Sequence, residues 1–314
     1  MIIIYGPTGV GKTDFSTLIA NSLPIEIINM DMGSFYTPLT IGTAKPAWRH
    51  SSIPHHLFDI INSPMHYTVM QYRMAVSDLI NDIKKRGNVP VLVGGSGFYL
   101  KSLFFPPVLG LSKGSNAINK NDISSAELWQ KLYTIDAARA EKIHPNDRYR
   151  IERALTIFEQ TGRKASEQIP YYQPIGNAHI ILMTREREQL YERINERVDT
   201  MIENGWLEEV NQLRGSEWEQ FLYEKKIIGY NDLLYCSSGV ADWESTIATI
   251  KTKSRNYAKR QLTFWRMFKA QLDNAHSQPN QKKMVTSHAI NLTFINLELY
   301  LKQLVYEFEK QTAK

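Results

Sequence analysis

Apolar residues follow two rhythms along the chain. A short, continuous apolar run occupies Ile2–Tyr5, and short apolar-rich runs occupy residues 25–30 and 89–93; runs of this length bounded by polar or glycine residues predict strands buried on both faces. Elsewhere apolar positions recur every three or four residues, as at Phe15, Leu18 and Ile19 within residues 12–22 and across residues 70–84, which predicts helices with one core-facing side. Strand and helix alternate, so an α/β fold is expected: a parallel sheet wrapped by helices, with ligands at the carboxyl ends of the strands. Asp31 and the run Gly94-Gly95-Ser96-Gly97 fall at two such ends.

The rhythm changes at Pro106-Pro107, where a polar linker through Asn121 precedes helical patterns at residues 126–142 and 147–160 with no strand between them. This predicts an all-helical insertion over residues 111–177 in a core formed by 1–110 and 178–314. A strand at 179–183 returns the chain to the sheet, and Thr184 is expected to cap the helix carrying Leu190, Ile194, Val198 and Met201. A long basic helix at 243–268, a last strand at 289–295 and an amphipathic helix at 297–308 complete the pattern. No internal repeat is present.

Composition adds limits rather than detail. With 43% hydrophobic and 22% charged residues over 314 positions, the chain has a globular composition. Its 37 Lys and Arg exceed 32 Asp and Glu, a net charge of +5 that permits an anionic partner without establishing one. Cys236 is the only cysteine, which rules out an intrachain disulfide and a cysteine-built zinc site and fits a reducing cytosol. No apolar run approaches the roughly 20 residues of a membrane span, and Gly6 interrupts the first run too early for a signal peptide. A soluble, cytoplasmic, monomeric protein with no membrane partner is expected.

The sharpest chemical signal is Gly6-Pro7-Thr8-Gly9-Val10-Gly11-Lys12-Thr13. It matches the P-loop pattern, in which glycines let backbone N–H groups converge on phosphate oxygens at a helix N-terminus. Lys12 supplies a point charge and Thr13 a hydroxyl suited to Mg²⁺. A hydrolytic P-loop protein usually carries a Mg²⁺-holding Asp at the end of a buried strand, yet Val91-Leu92-Val93 runs into glycines and serine. Asp31, ending the neighbouring strand, is the carboxylate nearest the loop. It could accept a proton from a substrate facing the phosphates, or serve as a helix cap or an outer Mg²⁺ ligand.

Other charged groups are ambiguous. Lys251, Arg255 and Lys259, with Arg266 beyond, share a helix side that is equally well a solvated face. Arg148, Arg150 and Arg153, interleaved with Tyr149, suit an RNA backbone or plain solvent. His55, His56 and Asp59 lack a convincing third metal ligand and read as structural. The arginines of residues 184–197 alternate with glutamates and are expected to form intrahelical ion pairs.

The P-loop, the Asp31 segment, Ile41-Gly42-Thr43-Ala44-Lys45-Pro46 and Val93-Gly94-Gly95-Ser96-Gly97-Phe98-Tyr99 together resemble the tRNA dimethylallyltransferases. So do the run from Ile143 through His144-Pro145-Asn146-Asp147 to Ala154, Ile228-Gly229-Tyr230, and Arg255-Asn256-Tyr257-Ala258-Lys259-Arg260-Gln261. The resemblance implies a nucleotide-kinase-like P-loop core that transfers a dimethylallyl group from its pyrophosphate to N6 of the adenosine beside the tRNA anticodon. It implies pyrophosphate on Gly6 to Thr13, Mg²⁺ at Thr13, and Asp31, Thr13 and Arg255 as catalytic residues. It further implies RNA contacts at Asp31, Met32, Gly33, Ser34, Ser96, Tyr149, Arg150, Ile151, Glu152 and Arg153. The chain departs from the family pattern at Met32-Gly33-Ser34, where serine and later glutamine are usual, at Ser96 for threonine, and at Asn256 for glutamine. Rival readings are a small-molecule or nucleotide kinase, an adenylate prenyltransferase and a non-catalytic RNA-binding paralogue.

Overall fold

A computed structural model describes residues 1–107, 123–168, 171–278 and 284–312, with side chains as far as Tyr306. The chain divides into two compact units, Met1–Phe104 with Pro174–Lys314, and Phe105–Gln173. The second cut falls before the expected residue 177 because the Ile175 N–H donates to the Leu103 carbonyl at 3.0 Å, tying the returning segment to the larger unit. Most of the linker expected through Asn121, residues 108–121, lies outside the described residues.

The larger unit is built on a six-stranded sheet, β1 (Ile2–Tyr5), β2 (Ile25–Asn29), β3 (His55–His56), β4 (Val89–Gly94), β5 (Ala178–Thr184) and β6 (Val285–Asn291), in the order β3-β2-β4-β1-β5-β6. Every pairing is parallel. The apolar run of β1 lies between β4 and β5, Ile2 opposite Val91 and His179 and Tyr5 opposite Gly94 and Leu182, and all four of its residues are buried. Helices α1 (Lys12–Ala20), α2 (Val69–Lys85) and α3 (Gly97–Ser102) follow β1, β3 and β4. Thr68 and Gln71 close a reciprocal capping box on α2, satisfying two otherwise orphaned amides.

Two expectations shift. The last strand is Val285–Asn291 rather than 289–295, because the Leu292 N–H still reaches the Thr184 carbonyl while the N–H groups of Phe294 and Ile295 turn back onto the Asn291 carbonyl. Thr184 caps no helix. Its hydroxyl donates to the Ile290 carbonyl, and the following helix begins at Arg187 with Glu186 at its cap position.

The insertion unit packs α4 (Ser125–Ile135), α5 (Ala137–Ala140) and α6 (Arg148–Thr161) around Leu128, Leu132, Ile143, Ile151 and Leu155. The expected single helix over 126–142 breaks at Asp136, whose carboxylate accepts the N–H groups of Arg139 and Ser166 instead of continuing the helix.

Past β5 the larger unit continues through α7 (Arg187–Glu203), α8 (Trp206–Leu213), α9 (Glu217–Lys225), α10 (Tyr230–Ser237), α11 (Trp243–His276) and, after β6, α12 (Leu297–Thr312). The three short helices α8 to α10 are not evident in the apolar pattern. Gly205 and Gly229, at φ 93° and 87°, start α8 and α10 from backbone conformations that suit glycine.

Candidate active site

Loops leaving the carboxyl ends of β1, β2 and β4 open onto one cavity of about 540 Å³, which α7 and α11 line from the side. This is where a parallel sheet with a switch in strand order places its ligand.

The P-loop forms its floor. Gly11 caps α1 without any side-chain cap bond and with φ 104°, so the first amides of α1 are left for an anion. Three cations bind the loop's carbonyls. Arg193 Nε donates to the Gly9 carbonyl at 2.9 Å, Arg185 Nε to the Val10 carbonyl at 3.0 Å, and Lys12 Nζ to the carbonyls of Gly6 and Pro7 at 3.0 Å each. With its carbonyls engaged by these cations, the loop keeps its amides and positive charge for an anion. Burial pushes the Lys12 ammonium down to about 8, against the pull of Asp31. Arg197, one helical turn beyond Arg193, lines the same cavity, and its buried Nε has no hydrogen-bond partner among the described residues. Burial lowers the Arg197 guanidinium from its ordinary value, opposed by the carboxylates of Asp31 and Asp14. A desolvated cation of this kind is stabilised by an incoming anion.

These arginines correct the expectation of intrahelical ion pairs. Arg185 and Arg193 bind the loop and Arg197 faces the cavity, because Ile194 and Val198 of α7 pack inward and carry their neighbours Arg193 and Arg197 to the cavity's edge.

Asp31 lines the same cavity. Its Oδ1 accepts the Gly95 N–H at 2.7 Å. Its backbone is clamped by buried Asn29, whose Oδ1 accepts the Asp31 N–H and whose Nδ2 donates to the Asp31 carbonyl, both at 2.9 Å. One carboxylate oxygen is therefore fixed by the turn after β4, and the second accepts no hydrogen bond among the described residues. Asp31 caps no helix through its side chain, although it precedes the 3-10 turn Met32–Phe35.

Gln261 of α11, a residue that sequence reading left in a motif without a role, joins the two halves. Its Oε1 accepts the Thr8 N–H at 2.9 Å and its Nε2 donates to the Gly95 carbonyl at 3.0 Å. The Tyr5 hydroxyl donates to the Gln261 carbonyl at 3.0 Å. A Cβ at position 95 would lie 2.0 Å from Gln261 Nε2 and 2.9 Å from the Gly6 carbonyl, which explains the glycine after β4 by close approach. Tyr257, also on α11, lines the cavity, and burial raises its hydroxyl well above the usual tyrosine range, with Asp31 adding to the effect.

Met32, Gly33, Ser34 and Ser96 all line the cavity, as does Thr13. Gly33, one of the departures, has a local reason: a Cβ there would lie 2.5 Å from Thr43 Cγ2. Thr43 belongs to the 41–46 segment, which Glu209 of α8 nests by accepting the N–H groups of Thr40, Ile41 and Gly42. The ring of buried Trp206 slots between Gly42 and Gly229, where added Cβ atoms would lie 1.9 Å and 2.0 Å from it. Ile41–Pro46 and Ile228–Tyr230, far apart in sequence, thus meet on one helix and form the cavity's apolar side with Ile194, Val198 and Met201.

Other expected residues lie elsewhere. Arg255 does not line the cavity; its guanidinium donates to Asn195 Oδ1 at 2.6 Å and Thr252 Oγ1 at 2.9 Å. The Lys251, Arg255 and Lys259 stripe is a clasp onto α7, meeting Asp199, Asn195 and the Tyr191 ring in turn, rather than a solvated face. On the insertion, Tyr149 is 77% exposed and Arg153 is exposed, Arg148 pairs with Glu152 and Arg150 with Asp147. Ile151 is fully buried in the insertion core, so its side chain braces α6 instead of presenting a surface to RNA. Asp59 pairs with Lys45 and Arg49, and His56 with Glu26, the structural roles expected of that cluster.

A family model described as IPP transferase matches residues 34–268. The tRNA dimethylallyltransferase of Pseudothermotoga lettingae is 37% identical over 274 residues, covering 86% of this chain and 87% of that protein. That of Anoxybacillus flavithermus is 39% identical over 275 residues, covering 85% and 87%. Among solved structures, the tRNA isopentenylpyrophosphate transferase of Bacillus halodurans superposes with a TM-score of 0.65 at 32% identity over 98% of this chain and 95% of that one. A eukaryotic dimethylallyltransferase acting on tRNA gives 0.69 at 27% identity over 91% and 82%. Sequence, sheet and site agree, and the chain belongs to the tRNA dimethylallyltransferase family, the IPP transferases.

Proposed function

We infer that this protein transfers a dimethylallyl group from dimethylallyl pyrophosphate to N6 of an adenosine in tRNA, releasing pyrophosphate. The observation that carries this is that Asp31 and the P-loop line one cavity, with Asp31 close enough to Lys12 to act on its charge. The adenine N6 lone pair forms a bond to the first allylic carbon, the carbon–oxygen bond breaks with its electron pair passing to pyrophosphate, and Asp31 takes the N6 proton. That amine is a poor nucleophile because its lone pair is delocalised into the ring, so a placed carboxylate is useful. The loop amides, Lys12 and Arg197 stabilise the charge that develops on the leaving group. Ile194, Val198, Met201 and Trp206 provide apolar surface for the five-carbon chain and keep water from the allylic centre.

The finer target is the adenosine adjacent to the anticodon, in a loop whose bases can be extruded into a pocket. Exposed Tyr149 and Arg153 of the insertion are candidates for contacts to the tRNA. Mg²⁺ fits the donors present: the Thr13 hydroxyl and the Asp14 carboxylate line the cavity beside the loop, hard oxygens suited to that ion. Thr13 and the pyrophosphate oxygens would hold it, and it would offset charge on the leaving group. We place the protein in the cytoplasm as a monomer; among the described residues no helix is long and apolar enough to cross a membrane.

The test is to incubate the protein with labelled dimethylallyl pyrophosphate, Mg²⁺ and unmodified tRNA, then digest and identify the nucleosides. N6-dimethylallyladenosine is expected next to the anticodon. Label on free AMP alone, or ADP formed from ATP with a small acceptor, would replace this reading with an adenylate prenyltransferase or a kinase.

A further inference from the structure

Phe98 stands on the first turn of α3, two residues after cavity-lining Ser96, and is 69% exposed. Its only ring contact among the described residues is Phe264 of α11, with centroids 5.9 Å apart at 46°. The fold does not need that ring. The close approach of α3 to α11 is made by Gly97, where a Cβ would lie 2.3 Å from the Phe264 ring, and Phe98 projects beyond it. Along α11 the same side carries Arg260, four residues before Phe264, and Met267, three residues after it. Arg260 lines the cavity and sets its guanidinium 5.7 Å from the centre of the Tyr257 ring, while Met267 is 62% exposed. An aromatic pair bordered by a cation and a soft thioether thus continues outward from the cavity wall. Large exposed rings grouped in this way mark an interaction surface, and aromatic rings beside cations suit single-stranded nucleic acid.

We propose that Phe98, backed by Phe264, is the stacking platform for the base that adjoins the target adenosine. The proposal rests on the tRNA reading above. An adenosine drawn into the cavity toward Asp31 leaves its neighbour without a stacking partner. That neighbour must leave the cavity over its rim, where Phe98 offers a ring face and Arg260 a positive charge for the connecting phosphate. Because every base has a π-face, the platform tolerates different neighbours and contributes affinity more than sequence choice.

The test uses the full chain with a tRNA stem-loop carrying 2-aminopurine beside the target adenosine, in the presence of inorganic pyrophosphate so that no transfer occurs. Binding to the wild type quenches the 2-aminopurine through stacking. In Phe98→Ala the quench is lost and the dissociation constant rises about tenfold, within the range that base–aromatic stacking supports. Phe98→Trp restores both, and pyrophosphate binding and melting temperature stay unchanged in either variant. A Phe98→Ala protein that quenches and binds like the wild type overturns this proposal alone. A wild type that binds no RNA overturns the tRNA reading and the proposal together. Self-association of the wild type that Phe98→Ala abolishes, with quenching intact, would instead give the patch to a second copy of the chain.

Discussion

Replacing Gln261 by methionine keeps the side-chain volume but removes the acceptor of the Thr8 N–H and the donor to the Gly95 carbonyl. The Tyr5 bond survives because it ends on the Gln261 backbone. An unpartnered buried polar group costs about 1–3 kcal/mol. Thr8 borders the cavity and can turn to water, whereas the Gly95 carbonyl meets Gln261 on the buried side, so the loss should be about 2 kcal/mol in all. For a unit of this size that lowers the melting temperature by roughly 4–8 °C. The catalytic effect should be larger than the stability effect. The Gly95 N–H holds Asp31, and about 1 Å of freedom in a reacting group can cost on the order of a hundredfold in rate. Thermal unfolding and single-turnover transfer should therefore report a modestly destabilised protein whose rate constant falls far more than its affinity for tRNA. Gln261→Glu separates the two bonds. It keeps the acceptor for Thr8, sets an oxygen against the Gly95 carbonyl, and adds a negative charge near Asp31 that should move the acid limb of the pH–rate profile upward. A Gln261→Met protein with unchanged melting and a rate within twofold of the wild type would refute the idea that this amide couples the phosphate loop to the carboxylate.

Lys12, pushed down to about 8 by burial, loses its charge as pH rises through that value. Pyrophosphate affinity should fall by up to about tenfold per pH unit above 8 until the loaded lysine itself titrates. Taking the difference from Lys12→Met, measured by calorimetry, cancels the ligand's own titration; a flat difference would contradict the burial argument. Glu26, buried and held by Arg86 first and then by Asn88 and His56, is depressed from 4.5 to about 2. A depressed carboxylate contributes stability above pH 4.5 that is lost as pH falls toward 2, on the order of 3 kcal/mol. Chemical denaturation should show that loss in the wild type and a shallower one in Glu26→Gln.

The parts of the fold visible in sequence are those whose cause is local. Ile2–Tyr5 is apolar throughout because both faces are covered, and Gly6 to Thr13 carry glycines because the loop must turn and approach closely. Asp31 is legible because it ends the second apolar-rich run, at the carboxyl end of a strand. What escaped depends on partners far along the chain. Arg193 and Arg197 sit among glutamates at helical spacing, a pattern that fits surface ion pairs until α7 is laid against the P-loop. Gln261 meets Thr8 across 253 positions. The helices α8 to α10 are too short to show a period, and their purpose, holding Trp206 and Glu209 against the 40–42 segment, is a tertiary one. The edge strand β6 is misplaced by its pattern because only Val285 and Ile290 are buried in it, while Leu292 and Ile295 beyond its end pack onto the core from a turn. Arg255 shows the limit of resemblance: its motif lies on α11, but its own side chain points along α7.

The central claim is that Asp31 takes the proton from the adenine amine. Asp31→Asn tests it with little disturbance, since an amide oxygen can still accept the Gly95 N–H while the proton-accepting oxygen is gone. In a single-turnover assay with tRNA and dimethylallyl pyrophosphate, the rate constant should fall by about 10²–10⁴ with both binding affinities preserved. A rate within a few-fold of the wild type, at unchanged affinities, would contradict the account.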